Sequence, residues 1–90
     1  MILEPDHWIN VCRFCVFTGA SSKYFGNKDK TLTECKEECD KDNNCRGINY
    51  GKPGYSPNCC AGECWLTYGT SLNTKENQGF DSYIITERND

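Results

Sequence analysis

Three groups of residues in this chain have the types and spacing that chemistry requires. The first is sulfur. Cys12 and Cys15 form a C-x2-C in "CRFC", Cys59 and Cys60 are adjacent with Cys64 close behind, and Cys35, Cys39 and Cys45 cluster mid-chain. A C-x2-C joined by two of the thiolates of Cys59, Cys60 and Cys64 can make a tetrahedral zinc site. Structural zinc usually takes two spaced knuckles with turn residues inside them. Here the first pair sits in a strand-like run and the second pair has no spacer, so disulfides are the stronger reading. Thioredoxin-like exchange at "CRFC" requires a strand-to-helix junction in a βαβ context, and both are missing.

The second group is oxygen. "DKDNNCRGINYG" begins like a calcium loop, with Asp40, Asp42 and Asn44 as donors. It fails where such a loop needs Gly in sixth place and a bidentate Glu in twelfth, because Cys45 and Gly51 stand there. A helix end with solvated charges explains these residues better. The third group would be an acid, base or nucleophile. His7 is the only histidine and lies in the lead-in, so no Ser/His or Cys/His pair has convincing members. Glu34, Glu37, Glu38 and Asp40 read as the wet face of a short helix. The expectation is a non-enzyme with no cofactor and no metal.

What must position these residues is a very small scaffold. Ninety residues make one domain, and a 37% apolar share is low for a chain held by burial alone. Eight cysteines supply the covalent staples that such a core needs. Their even number suits complete pairing, although eight cysteines allow roughly a hundred connectivities. That density points to an oxidising compartment, hence a secreted or surface-displayed protein. No apolar stretch reaches the ~20 residues of a bilayer span. "MILEPDHWIN" lacks a basic n-region and is not a secretory signal, so the chain reads as mature or as a module of something larger. A net charge of -3 argues against nucleic acid and against strong heparin or anionic-membrane binding.

Along the chain, residues 1–10 read as an irregular lead-in and 11–88 as the domain. "VCRFCVFT" (11–18) is rich in β-branched and aromatic residues and predicts a strand. Residues 19–30 read as a loop. Thr31 and Glu34 fit a capping box. Leu32, Cys35 and Cys39 fall at i, i+3 and i+7 on one helical face. Glu37 and Lys41 are spaced to pair on the other side, and the helix should stop near Asp42. Strands follow over 45–50, 63–68 and 80–87, with loops over 51–62 and 69–78. In the 63–68 strand Cys64, Leu66 and Tyr68 share one face, Trp65 and Thr67 the other. The predicted fold class is α+β: a small disulfide-rich domain in which one helix packs across a twisted antiparallel sheet. Cysteines at i and i+4 point together toward that sheet. Cys39 is then close enough to Cys45 for a short bridge, and Cys64 is the natural partner for Cys35.

These residues resemble the PAN/apple domain family. The likeness rests on "TLTECKEECDKDNNCRGINY", "CWL" and "GFDSYI" and covers residues 12 to about 87. A helix with C-x3-C, a third Cys six residues on, a strand ending in an aromatic and a later Cys before bulky apolar residues carry it. Ile48, Tyr50, Trp65, Leu66 and Tyr83 support it. The resemblance implies bridges Cys35–Cys64 and Cys39–Cys45. Apple-type members add a bridge joining the two ends of the module, and this chain has no cysteine beyond Cys64. Cys12, Cys15, Cys59 and Cys60 are therefore expected to pair across, each of the first two with one of the second two, in an order left open.

What remains is recognition. The loop "YGKPGYSPN" (50–58) offers Lys52, Tyr55, Ser56 and Asn58 on a backbone stiffened by Pro53 and Pro57, and such preorganisation lowers the entropic cost of capture. A plain structural loop, with Tyr55 covering the core edge, is the alternative. Trp8 and Trp65 read as packing residues. The resemblance implies two partner classes, a glycan or an extracellular protein, for a noncatalytic adhesion module that fits within a larger multi-module protein. A stand-alone secreted effector or inhibitor acting by protein binding is the other reading, and a zinc-stabilised intracellular module the third.

Overall fold

The computed structural model describes residues 8–18, 21–25, 30–52, 61–69 and 73–86. Among them are β1 (Trp8–Thr18), β2 (Ser21–Tyr24), α1 (Leu32–Asp40), β3 (Cys45–Gly51), β4 (Cys64–Tyr68) and β5 (Asn73–Ile85). The strands form one antiparallel sheet in the order β1-β5-β3-β4-β2. This is an α+β architecture with one helix laid across β3 and β4.

The helix starts where the sequence predicts. Thr31 Oγ1 accepts from the Glu34 N–H (3.1 Å) and Glu34 Oε1 accepts from the Thr31 N–H (2.9 Å), so two donors of the first turn are satisfied reciprocally. At the other end the Lys41 N–H still reaches Glu37 O (3.2 Å). Asp42 then stops the chain, accepting the Asn44 N–H at Oδ1 (3.0 Å) and the Tyr68 hydroxyl at Oδ2 (2.9 Å). Lys41 pairs with Glu38 (3.6 Å) rather than with the expected Glu37.

Under the helix lies the core. Cys35, Cys39, Cys45, Ile48 and Cys64 are fully buried, joined by Tyr50, Leu66 and Tyr83, with Trp8, Leu32, Tyr68 and Ile85 packed at the margin. Cys35 is bonded to Cys64 and Cys39 to Cys45, with Cα separations of 5.6 and 5.3 Å. The first bridge spans a sequence separation of 29, and by chain-entropy reasoning a loop of that size contributes about 3–4 kcal/mol. Tyr50, buried beneath the helix, donates its hydroxyl to Lys30 O (2.6 Å) and ties down the segment that leads into α1.

Four differences from expectation have physical causes. Cys12 and Cys15 are bonded to each other, not across to Cys59 and Cys60; the latter two lie outside the described residues. In a regular strand residues i and i+3 are about 10 Å apart, beyond disulfide reach. Here Phe14 adopts φ 56 and the register slips on both sides of the pair, bringing the two Cα atoms to 6.1 Å. Second, β1 begins at Trp8, so part of the expected lead-in is paired strand, opposite Ile85. Third, "SSKY" within the expected 19–30 loop is the edge strand β2, exposed at every residue. Fourth, β5 starts at Asn73, inside the expected 69–78 turn.

The kink at Phe14 shapes the other face. Arg13 pairs with Asp81, but Cys15 pairs with Glu76, so residues 77–80 of β5 oppose Phe14 alone. Beyond this offset, Cys15–Thr18 and Asn73–Glu76 form a ribbon that folds over the sheet face away from the helix. The Phe17 N–H reaches Asn49 Oδ1 of β3 (2.9 Å), and the one hydroxyl hydrogen of Ser82 is shared between Cys15 O (3.1 Å) and Asn49 Oδ1. Gly47 makes room for this approach. A Cβ there would sit 2.6 Å from Tyr83 O and 3.0 Å from the Phe17 ring.

Candidate functional site

Strand alternation separates two sets of side chains. Ile48, Tyr50, Cys64 and Leu66 face the helix, which turns Asn49 and Trp65 to the opposite side. The curled β1–β5 ribbon supplies Val16 and Phe17 to that side, β5 supplies Phe80 opposite Gly51, β2 supplies Ser22, and Glu63 stands just before β4. These residues line an open pocket of about 340 Å3.

Each polar group in it has a defined setting. Asn49 is buried, and its Oδ1 accepts from both the Phe17 N–H and Ser82 Oγ (2.8 Å). Both contacts use the carbonyl oxygen, so neither engages the amide's two N–H donors. Glu63 Oε1 accepts from Trp65 Nε1 (3.1 Å), which orients the indole and leaves a second carboxylate oxygen outside that bond. Tyr24, across the β2–β4 ladder, tilts against Trp65 with ring centroids 4.8 Å apart. Flat aromatic walls, an amide donor, a carboxylate acceptor and a hydroxyl within one concavity make a ligand-sized site with few, placed polar groups. None of its described lining residues is basic.

The sequence-predicted loop site fares differently. Lys52 is described, and its ammonium lies 3.7 Å from Oδ2 of the buried Asp81. Asp81 Oδ1 also accepts the Phe14 N–H (3.1 Å), so the Lys52 side chain is engaged with the joint between β1 and β5. Tyr55, Ser56 and Asn58 lie outside the described residues. Trp8 packs at the core margin as expected, with the Lys36 ammonium over both its ring and that of Tyr83 (5.9 and 5.0 Å). Trp65, also expected to pack, instead lines the pocket. Asn49, Glu63, Ser22, Phe17 and Phe80 were not singled out by sequence reasoning. Two signals point to them: a polar Asn between two core residues of one strand, and Glu63 and Trp65 two apart on one face.

Among the described residues no cluster of three or more His, Cys, Asp or Glu could hold a metal ion, and no helix is long and apolar enough to cross a membrane. The environment of two tyrosines is perturbed. Burial, then the hydrogen bond to Asp42 and the nearby charges of Asp42 and Glu38, push the Tyr68 hydroxyl up to about 12. Burial, then the charge of Glu34, raises Tyr50. Both stay protonated donors across the neutral range. Comparison with protein-family models, with curated proteins and with solved structures returned no match.

Proposed function

We propose that this chain is an extracellular, noncatalytic recognition module of PAN/apple type, which mediates adhesion by binding a carbohydrate or a protein partner. The observation that carries the reading is the pocket opposite the helix, where Trp65, Phe17 and Phe80 flank the amide of Asn49 and the carboxylate of Glu63. A sugar ring presents apolar C–H faces and a rim of hydroxyls. It can stack on the aromatic walls while its hydroxyls exchange bonds with Asn49, Glu63 and Ser22. The cysteine density and the bridged core support a secreted setting. The cysteine spacing and the helix-on-sheet arrangement support the family.

A second reading, a stand-alone secreted effector or inhibitor that binds a protein, is favoured by the edge strand β1. Ile9, Val11 and Phe14 are exposed along it, and apolar groups on a sheet edge suit a protein contact. A glycan array run beside a pulldown from extracellular material separates the two. For the first reading, Trp65→Ala lowers glycan affinity about tenfold, the loss of one stacking contact, while its melting transition stays cooperative. Glycan silence with a saturable protein partner transfers the function to the second reading. Silence in both arms, or glycan binding indifferent to Trp65→Ala, overturns the site.

A further inference from the structure

We infer that the Cys12–Cys15 bridge is an exchangeable disulfide, a modification site at which an external low-molecular-weight thiol forms a covalent adduct on Cys12. The inference stands apart from the pocket and rests on three features of the β1 kink. The first is access. Cys35, Cys64, Cys39 and Cys45 are fully buried under the helix, whereas Cys12 is half-buried on an edge strand and Cys15 is 5% exposed. An attacking thiolate therefore meets Cys12 first. The second is backbone conformation. Phe14, between the two bridged cysteines, holds φ 56 and is 40% exposed. That left-handed geometry is disfavoured for a bulky residue. Among the described residues no other non-glycine holds positive φ, so cutting the bridge relieves backbone strain here, against the hold of Asp81 Oδ1 on the Phe14 N–H, and not at the core bridges. The third is charge. Arg13, exposed between the two cysteines, adds positive charge to the segment that an anionic thiolate approaches.

The step balances without other groups. A thiolate attacks Cys12 Sγ, a new S–S bond forms, the Cys12–Cys15 bond breaks, and Cys15 leaves as a thiolate that takes a proton from water. Cys15 can attack back and expel the thiol. Attack of a second thiolate on the external sulfur of the adduct instead releases the oxidised thiol and leaves both cysteines reduced, two thiols having supplied two electrons.

The test uses the full chain under native conditions in graded glutathione, quenched by alkylation and mapped by peptide mass. The expected result is glutathione on Cys12 and alkylated Cys15 at concentrations at least ~10-fold below those that open Cys35–Cys64 or Cys39–Cys45. Opening of the core bridges at equal or lower thiol, or adduct confined to Cys15, overturns the inference. Phe14→Asn keeps both sulfurs and installs a residue that tolerates φ above zero. It should raise the thiol concentration needed for opening several-fold; an unchanged or lowered concentration removes the conformational basis and overturns it as well.

Discussion

The two faces of the sheet are held by different means. Toward the helix, two disulfides and an apolar cluster close a fully buried core. Away from it, hydrogen bonds to Asn49 and from Ser82 catch the curled β1–β5 ribbon beside the buried rings of Phe17 and Phe80, and an open hollow remains next to them. In a ninety-residue chain this division has a use. Covalent closure on one side leaves the other free to keep polar groups and empty volume, which in a core held by packing alone would cost stability.

Four experiments break or sharpen that contrast. The largest effect belongs to the stapled face. Replacing Cys35 and Cys64 together by Ser should cost at least about 3–4 kcal/mol, the loop-closure contribution, and abolish a cooperative melt near body temperature. Retention of the melt would mean that the two faces contribute alike. Next comes Gly47→Ala, whose new methyl meets the backbone oxygen of Tyr83 at 2.6 Å. That atom yields only by moving a strand, so a loss of about 2 kcal/mol is expected from denaturant midpoints. An indifferent variant would show that neither β5 nor the Phe17 ring of the ribbon presses on this position.

The third is alkaline stability at the helix margin. The folded-state value of Tyr68, about 12, lies above the ordinary 10.0, so the protonated hydroxyl favours the folded state. That stability is whole below pH 10 and is lost as pH rises toward 12. Urea midpoints should fall across this window, and in Tyr68→Phe the fall should shrink to what Tyr50, raised in the same direction, supplies. An equally steep fall in the variant would assign it elsewhere. The smallest effect is at Thr67, whose hydroxyl is buried on the pocket face without a hydrogen-bond partner among the described residues. Thr67→Val should be neutral or stabilising by up to about 1 kcal/mol. A clear loss in calorimetry would reveal a partner and a better-satisfied face.

Much of the helix side was legible because local rules govern it. Thr31 and Glu34 announce a cap through chemistry confined to four residues, and Cys39 and Cys45 can scarcely avoid one another at the end of one short helix. The 45–50 and 63–68 runs carry the β-branched and aromatic residues that strands favour. The other side was illegible for the converse reason. "SSKY" has no apolar alternation, and only its ladder with β4 makes it a strand. The start of β5 is polar and exposed, and its strand conformation comes from pairing with the partly buried end of β1. Cys12 and Cys15 meet because Phe14 leaves the strand conformation, which no residue-type preference foretells. Asn49 and Trp65 become neighbours of Phe17 and Phe80 only after the ribbon folds over, a tertiary event with no signature in spacing.

The pairing of Trp8 with Ile85 has a consequence for protein engineering. Where the fold is entered and where it is left, the polypeptide runs as two neighbouring antiparallel strands about 5 Å apart. A host could thus receive the unit within a surface hairpin, its own backbone interrupted by a gap no wider than a rung of its ladder.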